Sequence, residues 1–229
     1  MADAYPSIPK KIKGSTWFDD FNRLSVNADN ALMQYGYGQK DDKIGYAINP
    51  VSGLNLTYVS QTGTTGISSV KSLIGFWRPR DAQSPYNPPE GMEVQFTDIR
   101  VALPDADMKL GLCDLSATIP DDTDACAAIN MRLNITSQLT IDAVIGDGAA
   151  DHSHQLGGNL QNASYDAVIK VPADRYPEIS VTPHTGGETL KYVSTFQLSP
   201  AFTLGFFFSL RANVNGCNTR LSRYGVRYF

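Results

Sequence analysis

Carboxylates are the first residues to weigh for chemistry, and the 229-residue chain holds only four glutamates: Glu90, Glu93, Glu178 and Glu188. Glycoside hydrolysis needs two carboxyl groups facing each other across a sugar ring. Glu90 and Glu93 flank the start of an alternating strand, but no E-x-D-x-x-E run projects several acids from one sheet face. Most aspartates stand in turn-like contexts, where they bond the backbone. His152 and His154 in "DGAADHSHQLGG" would project to one side of an extended chain and, with Asp147 or Asp151, could hold a metal. The glycine-rich, polar surroundings read instead as a loop with two solvated imidazoles, and His184 stands alone beside Pro183. The acidic "PDDTDAC", with Asp121, Asp122 and Asp124, offers oxygens for calcium but lacks a glycine-turned ligand register.

Nucleophilic and phosphate-binding patterns are missing: there is no G-x-S-x-G, no cysteine beside a histidine, no P-loop and no G-x-G-x-x-G. The expectation is therefore no catalytic residue, no metal and no cofactor. Trp17, Trp77, Tyr35, Tyr37 and Tyr86 could stack on sugar rings, whose faces are apolar and edges polar, but packing or subunit contact explains them as well.

The elements that would position any site are strands. From Met92 onward apolar residues alternate: Met92, Val94 and Phe96 on one parity, then Ile99, Val101 and Leu103 on the other, so that a bulge is expected around Thr97-Asp98. Met108, Leu110 and Leu112 alternate next. The runs Ile129 to Ile135 and Leu139 to Ile145, joined by Thr136-Ser137-Gln138, read as a hairpin. Tyr165 to Val171, "PEISV" and "TLKYVSTFQL" follow. Phe202, Leu204, Phe206, Phe208, Leu210 and Ala212 keep one parity, and Tyr224, Val226 and Tyr228 close the chain beside that stripe. Phe207 is left on the face with Gly205, Ser209 and Arg211, where it either covers a second layer or marks a contact surface. In residues 1–90, "WFDDFNRL", "ALMQYGYG", "IGYAINP", "LNLTYVS" and "SLIGFWRPR" are shorter candidate strands. Residues 1–16, with Lys10, Lys11 and Lys13 among prolines, read as an extended arm, 17–229 as one sandwich domain, and the Pro-rich stretch 78–91 as a surface loop.

Composition sets outer bounds. With 42% hydrophobic and 18% charged residues the chain can bury a large core. No window approaches the roughly 18 apolar residues of a membrane helix, and no export signal is evident, so synthesis in the cytoplasm and no membrane partner are expected. Cys113, Cys126 and Cys217 are then read as buried thiols, although Cys113 and Cys126 could approach across a loop, and the acceptor triplets at Asn55, Asn134 and Asn162 as chance. A formal charge of −4 gives no reason to bind nucleic acid. Its distribution is uneven: eleven aspartates lie between Phe96 and Asp166, whereas Lys191, Arg211, Arg220, Arg223 and Arg227 follow Leu190 with no acid among them. Acidic loops and basic strands explain this, and complementary patches in a homo-oligomer are the alternative.

The order "MEVQFTDIRVAL", "MKLGLCDLSA", "AAINMRLNI", "LTIDAVIGDG", "YDAVIKV" and "FTLGFFFSLRA…TRLSRYGVRYF" resembles the concanavalin A-like, laminin-G-like jelly roll, in particular versions carried by virion proteins of tailed bacteriophages. The resemblance covers about residues 92–229. It implies an all-β, two-sheet antiparallel sandwich whose C-terminal strand returns to the middle. It also implies a non-enzymatic capsid-decoration or tail-associated subunit that binds other virion proteins. Related jelly rolls include lectins and polysaccharide lyases, so a carbohydrate-binding module or a divergent lyase or glycosidase is the alternative, with a surface glycan as partner. Neither R-x-E-x-R nor Q-[IV]-H is present. The residues expected to meet a partner are Lys10, Lys11, Lys13, Trp77, Arg78, Phe207, Arg211 and Arg223.

Overall fold

The structure is a computed structural model that describes residues 16–19, 21, 35–39, 44–49, 53–58, 66–73, 75–77, 90–102, 106–116, 125–134, 136, 138–161, 163–212 and 216–229. Among these, every regular element is a strand. The first five are β1 (Thr16–Asp19), β2 (Tyr35–Gln39), β3 (Ile44–Asn49), β4 (Gly53–Tyr58) and β5 (Gly66–Ser72). The middle of the chain forms β6 (Gly91–Ala102), β7 (Ala106–Asp114), β8 (Ala125–Leu133), β9 (Gln138–Gly146) and β10 (Asp151–Gln161). The last five are β11 (Tyr165–Pro172), β12 (Glu178–Pro183), β13 (Leu190–Val193), β14 (Leu204–Ala212) and β15 (Asn218–Tyr228).

They pair, antiparallel throughout, into two sheets. One runs β13-β12-β11-β6-β15-β4-β3, with β1 added along the other half of β15; the second runs β10-β9-β8-β7-β14-β5-β2. The expected bulge is present: Tyr165 pairs with Ile99 but Ala167 with Phe96, and Asp98 has φ 54°. The extra residue switches the inward parity of β6 from Met92, Val94 and Phe96 to Ile99 and Val101, so all five remain buried. The β8–β9 hairpin also forms as read, in the register Ile129↔Ala143.

The two aromatic C-terminal strands lie in different sheets, face to face rather than side by side. Phe206 of β14 and Tyr224 of β15 stack across the interior at 4.4 Å and 12°, flanked by Phe21, Tyr35, Phe76 and Phe96. Alternation cannot distinguish neighbours in a sheet from partners across a sandwich, because both present one buried parity. The tyrosine hydroxyls that enter this core have partners. The Tyr35 hydroxyl donates to Asp19 Oδ2 at 2.5 Å and lies 2.9 Å from the Tyr224 hydroxyl, and Tyr228 donates to the Phe76 carbonyl at 2.7 Å.

Two strand expectations change. Of "SLIGFWRPR", among the described residues only Ser72 is part of a strand, as the last residue of β5, and Trp77 makes an isolated bridge to Leu204. The residues read as a histidine loop form β10. Residues 1–15 of the expected arm and 78–89 of the Pro-rich loop lie outside the described residues, while Gly91 already begins β6, with the Glu90 and Gly91 amides donating to the Phe229 carbonyl.

Candidate functional site

Each strand of the seven-stranded sheet buries one parity and sends the other away from the sandwich. On β14, Phe206, Phe208, Leu210 and Ala212 face inward, and on β7 Met108, Leu110 and Leu112 do the same. The outward residues fall into rows fixed by register. Arg211, Asp107, Arg132 and Thr140 form one row across β14, β7, β8 and β9. Two residues along lie Ser209, Lys109, Asn130 and Asp142, with Ser69 of β5 beside Ser209.

These two rows line a cleft of about 290 Å³ bounded by Asp107, Lys109, Asn130, Arg132, Ser209 and Arg211. Its floor is polar yet buried: Ser209 is 1% exposed and Asn130 6%. Arg132 lines one wall, with Nε 3.5 Å from Asp107 and a terminal nitrogen 3.3 Å from Asp142. The Asn130 amide, with its nitrogen toward the Met108 carbonyl, accepts from Arg132 Nε at 3.2 Å. Lys71 also stands on this outward parity, next to Phe207. Among the described residues this outward parity carries Lys71, Lys109, Arg132 and Arg211 together with Asp107, Asp142 and, on β10, Asp151, whose carboxyl feels the Lys109 ammonium.

The next row, Phe207, Gly111, Ala128 and Val144, is apolar and closes the cleft at one end. Phe207 is fully buried with Cys113, Leu115 and Ala128 in a small second core. Leu115 turns back over the sheet there, which only a glycine at 205 permits, since a Cβ at that position would lie 2.6 Å from the leucine. Phe207 thus covers a second layer and is no contact residue.

Trp77 is likewise corrected: it is fully buried, because backbone bonds joining Phe76 and Trp77 to Leu204 draw it between the sheets. Its indole N–H has no hydrogen-bond partner, a cost of about 1–3 kcal/mol in an apolar setting. Arg211 and Arg223 are exposed but on opposite sheets, Arg223 donating to Thr97 Oγ1 at 3.4 Å. Lys10, Lys11, Lys13 and Arg78 lie outside the described residues, as do Tyr86 and the acidic Asp121, Asp122 and Asp124. Sequence reading missed Asp107, Lys109, Asn130, Arg132, Asp142 and Ser209; the available signal was the polar complement of each apolar parity in "DMKLG", "INMRL", "TIDAV" and "FSLRA".

The outer face of the eight-stranded sheet contrasts with this cleft. Across β15, β6, β11 and β12 the row Arg227, Glu93, Lys170 and Glu178 alternates in sign, with Lys170 Nζ 2.9 Å from Glu178 and Arg227 3.9 Å from Glu93. Within that row each cation has a carboxylate beside it.

The histidines close the sandwich edge. On β10, His152 and His154 share the inward parity opposite Ile145 and Ala143, and they stack on aromatics following and within β13: His152 on Phe196 at 3.5 Å and 4°, His154 on Tyr192 at 4.3 Å and 16°. Among the described residues no three His, Cys, Asp or Glu are grouped to hold a metal. The three cysteines are buried; Cys113 belongs to the outer cluster and Cys126 to the main core, so they face opposite sides of their sheet.

Two carboxylates set the acid response. His152 bonds Asp147 at 2.9 Å and, with the Ala150 and Ala149 amides, holds that carboxyl at a pKa of about 2. At Asp98 burial opposes the charge, but hydrogen bonds from Ser222 and Ser164 and the Arg220 guanidinium outweigh it and lower the pKa. A carboxyl depressed on folding adds stability that is complete above its unfolded value and is lost as pH falls through the folded one. The thermal midpoint is therefore expected to fall between about pH 5 and 2, and Asp147→Asn to flatten part of that slope. Parallel melting curves for the two proteins across this window would contradict the assignment.

No family model and no curated protein matches the chain. Solved structures do. The seed lectin of Lotus tetragonolobus superposes with a TM-score of 0.58 at 10% identity, covering 94% of this chain and 98% of the lectin. The potassium-bound carbohydrate recognition domain of Emp46p gives 0.56 at 11% identity, over 92% and 98%. An alginate lyase from Pseudomonas aeruginosa gives 0.52 at 13% identity, over 83% and 87%. The likeness shows the fold, a concanavalin A-like jelly roll, as the residue pattern implied. None of these three is described as a virion protein, and the virion role draws no support from them.

Proposed function

We propose that this protein is a carbohydrate-binding jelly roll that holds glycan in the cleft on the outer face of its seven-stranded sheet and performs no bond cleavage. The observation that carries the reading is the buried polar floor of Ser209 and Asn130 between Lys109, Arg132 and Arg211. Hydroxyl, amide, ammonium and guanidinium groups placed this way complement the donors and acceptors on sugar edges. Two of the similar structures are described as lectin or carbohydrate-recognition domains, and a third as an alginate lyase. The reading departs from the virion subunit expected first and adopts the carbohydrate alternative.

Catalysis is disfavoured by the carboxylates themselves. Hydrolysis calls for two acids across the sugar, whereas Asp107 and Asp142 both turn onto one guanidinium. No histidine or tyrosine is among the cleft-lining residues to serve as a base.

A glycan array followed by a reducing-end assay tests both halves. Wild-type protein is expected to retain at least one glycan class and release no reducing ends, and Ser209→Leu, which fills the floor, is expected to weaken retention about tenfold or more. Turnover would overturn the non-catalytic half; retention unchanged in Ser209→Leu would move binding away from this cleft.

A further inference from the structure

The cleft's charge pattern goes further than a sugar-sized polar pocket requires. Resting on the proposed glycan reading, we infer that the ligand is a polyanionic oligosaccharide, bearing carboxylate or sulfate groups on successive sugars, that lies across β14, β7 and β8. The row Arg211, Asp107, Arg132 alternates cation, carboxylate, cation. Strands sit about 4.8 Å apart, so the two arginines start roughly 10 Å apart, with Lys109 one strand and two residues from each, about 8 Å away.

The Arg132 guanidinium rests on the β8 side of the row, 3.5 Å from Asp107 and 3.3 Å from Asp142. A single anionic group between the arginines would also meet the Asp107 carboxylate, which repels it. Two anionic groups straddling Asp107 satisfy the row, one toward Arg211 and Lys109, the other toward Arg132. Asp107 then accepts from a sugar hydroxyl between them. The buried Ser69 and Ser209 extend the same furrow toward β5. A chain running across the strands fits this order of groups, whereas one acidic monosaccharide engages only half of it.

Isothermal titration calorimetry distinguishes the possibilities, using mono-, di- and tetragalacturonate, a sulfated tetrasaccharide, a neutral tetraglucan and a single-stranded DNA oligonucleotide of matching charge. The acidic tetramers are expected to bind at least about tenfold more tightly than the monomer, with affinity dropping as salt rises from about 50 to 300 mM. Lys109→Ala and Arg211→Ala are each expected to lose about tenfold or more while keeping a cooperative melting transition. Whichever of the uronate and sulfated chains binds more tightly identifies the anionic group. Equal binding of the neutral tetraglucan would overturn the anionic inference while leaving glycan binding intact. Equal binding of monomer and tetramer would overturn the extended pose. Equal binding of the oligonucleotide would overturn a saccharide ligand, and no binding of any glycan would remove the proposed function itself.

Discussion

Phe206→Ala is expected to destabilise the protein by about 3–5 kcal/mol, the usual cost of truncating a buried phenylalanine, and to lower the melting temperature by roughly 10 °C. Phe206 is fully buried, and its ring is the point where the sheets meet: it stacks on Tyr224 at 4.4 Å, meets Tyr35 edge-on at 5.8 Å and lies 6.4 Å from Phe96. Three aromatic contacts disappear together, each worth about 0.5–1.5 kcal/mol beyond area burial. The cavity would open between two hydrogen-bonded sheets that cannot collapse without breaking register. Phe206→Leu, keeping much of the volume, is expected to recover about half of the loss. Chemical denaturation checks both, and a cost under about 1 kcal/mol for the alanine would show that the interior does not close on this ring.

Phe207→Ala is the second large effect, about 3 kcal/mol, near the lower end for a buried phenylalanine because its cluster is small and lies on the outer side of the sheet. Its partners are Cys113, Leu115 and Ala128, and Leu115 belongs to the turn that follows β7. Losing the ring removes what Leu115 covers, so hydrogen exchange at the Leu115 amide, which donates to the Thr203 carbonyl at 2.8 Å, is expected to rise with the loss of stability. A stable Phe207→Ala protein with altered self-association would instead restore this residue to a contact surface.

The strands from Met92 on were legible because each half-buried strand writes its buried face as every second residue. The bulge at Asp98 was legible for the same reason, as a change of parity. What alternation omits is which strands face one another; β14 and β15 fell into opposite sheets although their stripes look alike. β10 escaped because its inward positions include His152 and His154, whose apolar faces are satisfied by Phe196 and Tyr192, residues about 40 positions away. β5 escaped because "GISSVKS" buries the polar Ser69 and Lys71 on its outward parity, which blurs the contrast. The cleft was hidden by register. Lys109, Asn130, Arg132 and Ser209 are unremarkable one strand at a time and become a site only when β14, β7 and β8 are laid side by side.

The central claim is that glycan occupies the outer face of the seven-stranded sheet, and backbone chemical-shift mapping during titration with tetragalacturonate tests it most directly. The account predicts that the largest shifts fall on Ser209, Lys109, Asn130 and Arg211, with Glu93, Lys170 and Arg227 on the opposite sheet unmoved. Saturable shifts confined to that opposite face, or to the β10–β13 edge, with the cleft residues silent, would contradict it.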